Sequence, residues 1–251
     1  MLRSISVLAL AITAILVVSC DEDPPEMPLT TNVSMNMQLL YEGEPVVMLQ
    51  NYEYPTGETF YLSRVSMFVA DVKLDDVQLK TEDYYSLTEA HSTTALAAEG
   101  FTTVLGEVEE GSYDNLSFAI GVTAENNAMV PGDFTSTHVL SQAGEYWSGW
   151  SSYVFYKIEG MLDSDGDGTA DQGISLHIGG DEVFTNITLP LGTTIDKDNN
   201  VIGVDLDLYD VFNGGGQPYD IVSNSGLHSK DNHLTFMQEL IANTKTAMTA
   251  R

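Results

Sequence analysis

The amino-acid sequence predicts an all-β protein, an antiparallel β-sandwich with one C-terminal helix. Short segments rich in β-branched and aromatic residues recur along the 251 residues, and clusters of Gly, Asn, Asp and Pro separate them. Helical periodicity is clear only near the C-terminus. Many short strands with turn signals and few helices are typical of two packed sheets.

Residues 1–19 predict a lipoprotein signal peptide. The apolar run at residues 5–18 is too short for a comfortable transmembrane helix and suits the central segment of a signal peptide. Residues 17–20 resemble a bacterial lipobox, in which Cys20, the only cysteine of the chain, becomes the acylated first residue. Acyl chains on Cys20 would anchor the protein in a membrane. The alternative is an ordinary secretory signal peptide with a chance cysteine.

Residues 20–30 predict a lipidated acidic tether. Asp21, Glu22 and Asp23 are followed by two prolines, a composition that favours an extended, self-repelling chain. An acidic run directly after a lipidated cysteine resembles the export signal of surface-exposed lipoproteins in some Gram-negative bacteria. We therefore predict an outer-membrane lipoprotein displayed at the cell surface, with a periplasm-facing protein as the alternative. Residues 31–251 carry no repeat or dividing linker and predict one domain.

The charge balance excludes one class of partner and permits another. Nine Lys and Arg residues stand against 37 Asp and Glu residues, which gives a formal net charge of −28. A surface this acidic repels phosphate backbones, so we expect no nucleic-acid partner. The same surface is compatible with binding of divalent cations.

Seven segments predict the strands of the sandwich. Residues 34–40 alternate between apolar and polar side chains, and residues 60–74 form a long run of branched and aromatic residues. The remaining predicted strands, in chain order, are residues 116–122, 153–158, 174–178, 183–189 and 201–208.

The C-terminal helix is predicted from residues on one helical face. Its apolar positions recur at three- to four-residue spacing, at Leu234, Met237, Leu240, Ile241, Thr244 and Met248. Asp231 or Asn232 could cap its start, because short polar side chains accept from the first free backbone N–H groups. We expect this helix to cover one end or edge of a sheet.

An Asp-rich loop is the most specific local motif. Asp163, Asp165, Asp167 and Asp171 occupy positions 1, 3, 5 and 9 of an EF-hand-type calcium loop, with Gly168 at position 6. Carboxylates on alternate residues of a tight turn converge on one point and repel one another unless a cation binds.

The sequence around the loop predicts structural calcium. Thr169 would contribute its backbone carbonyl, whereas position 12 is Ile174 and lacks the bidentate Glu of a sensor loop. Predicted strands flank the loop on both sides, so we interpret it as a calcium-bound connection between strands. The alternative is a solvated acidic turn without an ion.

Several segments in order resemble one family, the MbnP-like copper-binding domain family, relatives of the methanobactin-associated periplasmic protein. They are residues 54–57, 62–74, 111–121, 126–127, 146–160, 176–180, His228 and residues 241–243. The central segment is similar to the family's W-x-W, GY and EG stretch, followed by H-x-G. Here the two tryptophans, Trp147 and Trp150, stand one residue further apart, and Ser152 replaces the glycine before the tyrosine.

The resemblance implies a β-sandwich that binds copper. In some relatives a tryptophan is oxidised to kynurenine by a partner dihaem peroxidase and joins histidine as a copper ligand. By this resemblance His177 and His228 are the candidate copper ligands, and Trp147 and Trp150 are the candidate modified residues. From the residues alone, each histidine could equally be a hydrogen-bonded structural histidine, and each tryptophan a packed aromatic residue.

The sequence predicts a non-catalytic protein. It contains no G-x-S-x-G, H-E-x-x-H or phosphate-binding glycine motif. A second hypothesis is a glycan- or protein-binding surface lipoprotein in which calcium is purely structural. In that case exposed aromatic residues would form the contact surface, with Tyr84, Tyr85, Trp147 and Trp150 as candidates.

Overall fold

The computed structural model describes residues 27–251, which form fourteen strands and four α-helices. The strands are β1 (Thr30–Tyr41), β2 (Glu44–Pro45), β3 (Asn51–Glu53), β4 (Thr59–Leu74), β5 (Val77–Ser86), β6 (Phe101–Glu109), β7 (Gly111–Ile120), β8 (Tyr146–Trp147), β9 (Ser152–Asp163), β10 (Gln172–Gly179), β11 (Thr185–Ile195), β12 (Val201–Asp207), β13 (Gly226–Leu227) and β14 (Met248–Ala250). The helices are α1 (Thr94–Glu99), α2 (Ala124–Asn127), α3 (Leu208–Asn213) and α4 (Lys230–Ala247).

The strands form two sheets in a sandwich-like arrangement, which confirms the predicted fold class. The smaller sheet has the order β14-β12-β1-β2, with β6 also paired to β1. The larger sheet has the order β11-β7-β4-β9-β10-β13, with β3 and β5 paired to β4 and β8 paired to β9. The long run at residues 60–74 is therefore a central strand of the larger sheet.

The sheets are mixed, because two strand pairs are parallel. β12 pairs parallel with β1, and β13 pairs parallel with β10. In both pairs a long stretch of chain separates the two strands. A tight hairpin would force them to be antiparallel, but a long connection permits either direction. The local sequence therefore carries no signal for the direction of these pairs.

Alternating burial along β1 places its apolar residues in the core between the sheets. Val33, Met35, Met37 and Leu39 are fully buried, whereas the residues between them are at least partly exposed. Met35 and Met37 therefore pack in the core, as methionines in strands usually do. Their burial does not favour a metal site built from their thioether sulfurs.

Helix α4 packs one face against the sandwich as predicted, but it ends at Ala247, so Met248 belongs to β14 and the prediction that it lies on the helix was wrong. The buried residues of α4 include Met237, Leu240, Ile241 and Thr244. The capping residue is Ser229, whose hydroxyl accepts from the backbone N–H of Asn232 at 3.3 Å, so the predicted cap at Asp231 or Asn232 was wrong. Serine is equally suited to this position and stands where the chain leaves β13. After α4 the chain returns to the smaller sheet as β14.

Residues 1–26 lie outside the described part of the chain. The predicted signal peptide, Cys20 and most of the acidic tether fall there, and they stay predictions. Within residues 27–251, no helix combines the length and the apolar composition needed to cross a membrane.

Candidate metal centre

Four residues from three distant segments of the chain meet at one end of the larger sheet. Trp147 ends β8, Trp150 lies in the following turn, His177 is on β10 and His228 follows β13. The ring centres of His177 and His228 are 5.2 Å apart, and that of Trp147 lies 5.9 Å from His177 and 5.4 Å from His228. The structure therefore brings together all four candidate copper-site residues.

The two tryptophans form a stacked pair at the wall of a cleft. Their ring planes differ by 7° and their centres are 5.0 Å apart. The turn that joins them is closed by a hydrogen bond from the backbone N–H of Trp150 to the carbonyl of Trp147, at 3.0 Å. The indole N–H of Trp150 donates to the carbonyl of His228 at 3.3 Å. Both rings are only partly buried, so neither tryptophan is a simple core residue.

His177 makes one strong side-chain contact and leaves its other ring nitrogen without a partner. Its Nε2 lies 2.7 Å from Oε1 of Glu159 on β9. Its Nδ1 is buried and has no hydrogen-bond partner among the described residues. The hydrogen bond from His177, together with the charge of Arg64, lowers the pKa of Glu159 despite its partial burial.

His228 is the more exposed of the two histidines. Its Nε2 lies 2.7 Å from the hydroxyl of Ser175 on β10. Desolvation, followed by the charges of His177 and His233, lowers the pKa of His228. The neutral imidazole, which is the form that binds metals, is thereby favoured.

The cleft beside this cluster has a volume of about 460 Å³. Its lining residues are Trp147, Gly149, Trp150, Glu182, His228, Ser229, Lys230 and Asp231. Lys230 pairs with Glu182 at 2.9 Å across this surface. The first turn of α4 therefore contributes to the cleft, a role that the amphipathic pattern of the helix did not indicate.

A buried asparagine ties together the segments that carry the cluster. The side-chain oxygen of Asn127 accepts from the hydroxyl of Ser152 at 3.0 Å and from the backbone N–H of Tyr153 at 2.9 Å. Its side-chain nitrogen donates to Asp181 at 2.8 Å. Asn127 thus joins the start of β9, which follows the tryptophan turn, to the segment after β10.

Two of the remaining histidines have ordinary structural roles. His91 is fully buried, with Nδ1 2.8 Å from the carbonyl of Val46 and Nε2 accepting from the backbone N–H of Leu39 at 3.3 Å. His138 stacks on Phe134 with 4.7 Å between the ring centres. Neither residue belongs to the cluster.

The Asp-rich loop connects β9 and β10, as predicted. Ligand oxygens of Asp163, Asp165 and Asp167 lie within 4.8 Å of one another. Asp163 is buried, and its two oxygens accept from the backbone N–H groups of Gly166 and Gly168, each at 2.8 Å. This arrangement can hold a hard cation through carboxylate oxygens.

Asp171 and Thr169 are the other two predicted ligands of the loop. Asp171 accepts from the backbone N–H and the hydroxyl of Ser164 at 3.2 and 3.1 Å, and it is not among the three converging carboxylates. The backbone N–H of Thr169 donates to Asp167 at 2.8 Å.

Glu58 is a further carboxylate near the Asp-rich loop. It lines a surface depression of about 520 Å³ together with Asp163 and Asp165. It lies next to Thr59, which pairs with Asp163. Only the pairing of β4 with β9 brings Glu58 close to the loop, so the residues around Glu58 in the sequence could not predict this position.

Of the two tyrosines proposed for an aromatic contact surface, Tyr85 is buried and cannot contribute, whereas Tyr84 is partly exposed. β5 pairs with β4 and turns Tyr85 into the core, where its ring lies 5.3 Å from that of Phe101. The hydroxyl of Tyr84 accepts from Arg64 at 3.1 Å. The expectation failed for Tyr85 because alternation along a strand sends adjacent residues to opposite faces.

The fold and the site together define a class, a β-sandwich with an indole and imidazole cluster at one end of its larger sheet. The sequence model of the MbnP family matches residues 30–233, and the chain belongs to this family. The fold is similar to that of MbnP from Methylosinus trichosporium, with a TM-score of 0.55 and 16% identity over 79% of this chain and 83% of that one. A comparison with curated protein sequences found no match.

Proposed function

We propose that this protein is a non-catalytic metal-binding protein that holds a copper ion at His177 and His228. The observation that carries this proposal is the buried Nδ1 of His177, which has no hydrogen-bond partner in residues 27–251. The ring of His177 lies beside a second imidazole, that of His228, with 5.2 Å between the ring centres. A buried polar atom without a partner is costly, and a metal ion would satisfy it. Imidazole nitrogens are suitable copper ligands.

Trp147 is the better placed tryptophan for conversion to a kynurenine ligand by a dihaem peroxidase partner. The centre of its ring lies 5.9 Å from that of His177 and 5.4 Å from that of His228, whereas Trp150 stacks on Trp147 and donates to the backbone of His228. Partial exposure at the cleft would let an oxidising partner reach the pair. Mass spectrometry of protein from its native host tests this part, because unmodified tryptophan at both positions would remove it.

Copper retention by the purified protein tests the central proposal. After loading and dialysis, the wild type should retain about one copper ion per chain, and His177→Ala should lose it. His138→Ala is the matched control, because it removes a histidine outside the cluster. Copper that washes off the wild type, or equal retention by His177→Ala and wild type, would contradict the proposal.

Calcium in the Asp-rich loop is the second metal that we propose, with a structural role. Three convergent carboxylates between two strands of the larger sheet support it. Glu58 is available on the adjoining strand connection as a further oxygen donor. Such a loop would hold the β9–β10 hairpin together and thus support His177 at its far end.

The proposed location is the outer membrane, with the lipid anchor at Cys20 and the domain at the cell surface. The lipobox-like segment and the acidic run after it support this placement. Fatty-acid labelling should be lost in Cys20→Ser and kept in Ser4→Ala. Digestion of the protein by protease added to whole cells would distinguish surface display from a periplasmic orientation.

The cleft favours a second candidate function, binding of a glycan. A stacked, partly exposed tryptophan pair beside Glu182, Ser229 and Asp231 offers an aromatic face and polar groups to a sugar ring. Loss of glycan binding in Trp150→Ala, together with failure of the wild type to retain copper, would favour this function over copper binding.

A further inference from the structure

The contact between Glu159 and His177 has a defined geometry on two neighbouring strands. β9 and β10 are antiparallel, with Glu159 opposite Ser175 and Lys157 opposite His177. Glu159 and His177 are therefore diagonal neighbours on one face of the sheet, a spacing that long side chains can bridge. Oε1 of Glu159 lies 2.7 Å from Nε2 of His177, which is a normal hydrogen-bond distance.

The chemistry of the two groups decides which ring nitrogen carries the proton. An ionised carboxylate only accepts hydrogen bonds, so Nε2 of His177 must be the donor. A neutral imidazole has one N–H group, and its other nitrogen then has a free lone pair. That nitrogen is Nδ1, the buried atom without a hydrogen-bond partner in the described part of the chain.

The guanidinium of Arg64 also lies close to the carboxylate of Glu159. Nη1 of Arg64 on β4 lies 3.9 Å from Oε1 of Glu159. Arg64 is itself bound to Glu145 and donates to the hydroxyl of Tyr84 at 3.1 Å. Lys157 completes this group by pairing with Glu145 at 2.8 Å. The carboxylate of Glu159 is thus held from both neighbouring strands, by His177 on β10 and Arg64 on β4, and does not depend on His177 alone.

The second imidazole has no equivalent control. Nε2 of His228 lies 2.7 Å from the hydroxyl of Ser175, and a hydroxyl can donate or accept. Ser175 therefore orients the ring of His228 without selecting one of its two tautomers. Of the two histidines in the cluster, only His177 therefore has a partner that determines which ring nitrogen is free.

We propose that Glu159 is a positioning residue that keeps His177 in the tautomer with the proton on Nε2, so that Nδ1 is the nitrogen that binds metal. The inference rests on the proposed metal-binding function. A carboxylate that accepts a hydrogen bond from the other ring nitrogen of a metal-binding histidine orients that ring, and its loss typically lowers the metal affinity about 10- to 100-fold. Removal of the hydrogen-bond acceptor at position 159 should therefore change both the tautomer and the affinity.

The first test uses the metal-free full-length mature protein and nitrogen-detected NMR of its histidine side chains. We expect His177 to carry its proton on Nε2 in the wild type and to become a mixture of tautomers in Glu159→Leu. Glu159→Gln should keep the wild-type tautomer, because the amide oxygen can still accept. Glu239→Leu on the exposed face of α4 is the matched control and should leave the His177 signals unchanged.

The second test measures Cu(II) affinity of the same four proteins by competition with a chelator. We expect a loss of about 10- to 100-fold in Glu159→Leu, recovery of most of it in Glu159→Gln and no change in Glu239→Leu. A proton on Nδ1 in the wild type, an unchanged tautomer in Glu159→Leu or equal losses in the Leu and Gln variants would overturn the inference. Should Glu159→Leu fail to fold, the wild-type tautomer and the affinity of Glu159→Gln still decide.

The two tests separate this inference from the proposed function. A wild-type protein that binds no copper but has the predicted tautomer would refute copper binding and leave the positioning of His177 by Glu159 intact. A wild-type protein that binds copper with Nδ1 protonated in the metal-free state would do the reverse.

Discussion

Replacement of Asn127 by alanine should destabilise the protein and loosen the tryptophan turn. Asn127 is 5% exposed and makes three side-chain hydrogen bonds, to Ser152, Tyr153 and Asp181. The substitution leaves the backbone N–H of the buried Tyr153 without a partner and removes a charge-assisted bond to Asp181. Ser152 keeps a bond to the carbonyl of Tyr153 at 2.9 Å. With one unpaired buried donor and one lost charged bond, we expect a loss of about 2–4 kcal/mol in the free energy of unfolding.

The assay is urea unfolding followed by circular dichroism and by tryptophan fluorescence. Both tryptophans of the chain lie in the turn before Ser152, so their emission reports on this part of the site. Asn126→Ala is the matched control, because Asn126 makes a single bond, to Glu82 at 2.7 Å, near the surface. This bond is also charge-assisted, but its loss leaves no buried backbone donor unpaired, so it should cost only about 1–2 kcal/mol. Equal stability of the two variants would refute the claim that Asn127 joins the segments of the site.

Three further predictions concern the loop, the core histidine and strand packing. Millimolar calcium should stabilise the wild type by about 1–3 kcal/mol. Asp165→Ala should abolish this effect, whereas Asp198→Ala, outside the loop, should retain it. A wild-type melting temperature that EDTA does not change would contradict the prediction. Burial lowers the pKa of His91 below its ordinary 6.5. As the pH falls below 6.5, the unfolded chain therefore binds a proton before the folded chain does. The free energy of unfolding is thus unaffected by titration of His91 above pH 6.5 and decreases as the pH falls from there. Urea unfolding at pH 7.5 and 5.5 should therefore show a larger loss in the wild type than in His91→Gln, and equal losses would count against the role of His91. Gly160→Ala should lower the free energy of unfolding by about 3 kcal/mol or prevent folding, because the new Cβ would lie 2.0 Å from a backbone oxygen of β4. Gly173→Ala is the control in the same denaturation assay, since its new Cβ meets no atom within 4 Å and should be tolerated.

Elements with a strong local pattern could be predicted from the sequence. Alternation at residues 34–40 matches the alternating burial of β1, and the apolar spacing of residues 234–244 matches the buried face of α4. The loop at residues 163–171 lies between two strands, as its flanking segments indicated. In each case the signal is short-range, because side-chain direction follows the backbone period within one element.

Features that depend on the pairing of distant segments could not be predicted in this way. The parallel pair of β1 and β12 joins residues more than 160 positions apart, and no local residue specifies its direction. Glu58 reaches the Asp-rich loop only because Thr59 pairs with Asp163. Alternation requires Tyr84 and Tyr85 to lie on opposite faces of β5, but only the packed fold decides that the face with Tyr85 is the buried one.

By itself the sequence determined the sandwich class, the family and the candidate residues Trp147, Trp150, His177 and His228. It did so because periodicity, turn chemistry and the order of motifs are properties of the linear chain. Only the tertiary structure decided that these four rings lie together and that Glu159 faces one nitrogen of His177. The physical reason is that strand register sets which side chains face each other across a sheet, and register is a property of the whole packed fold.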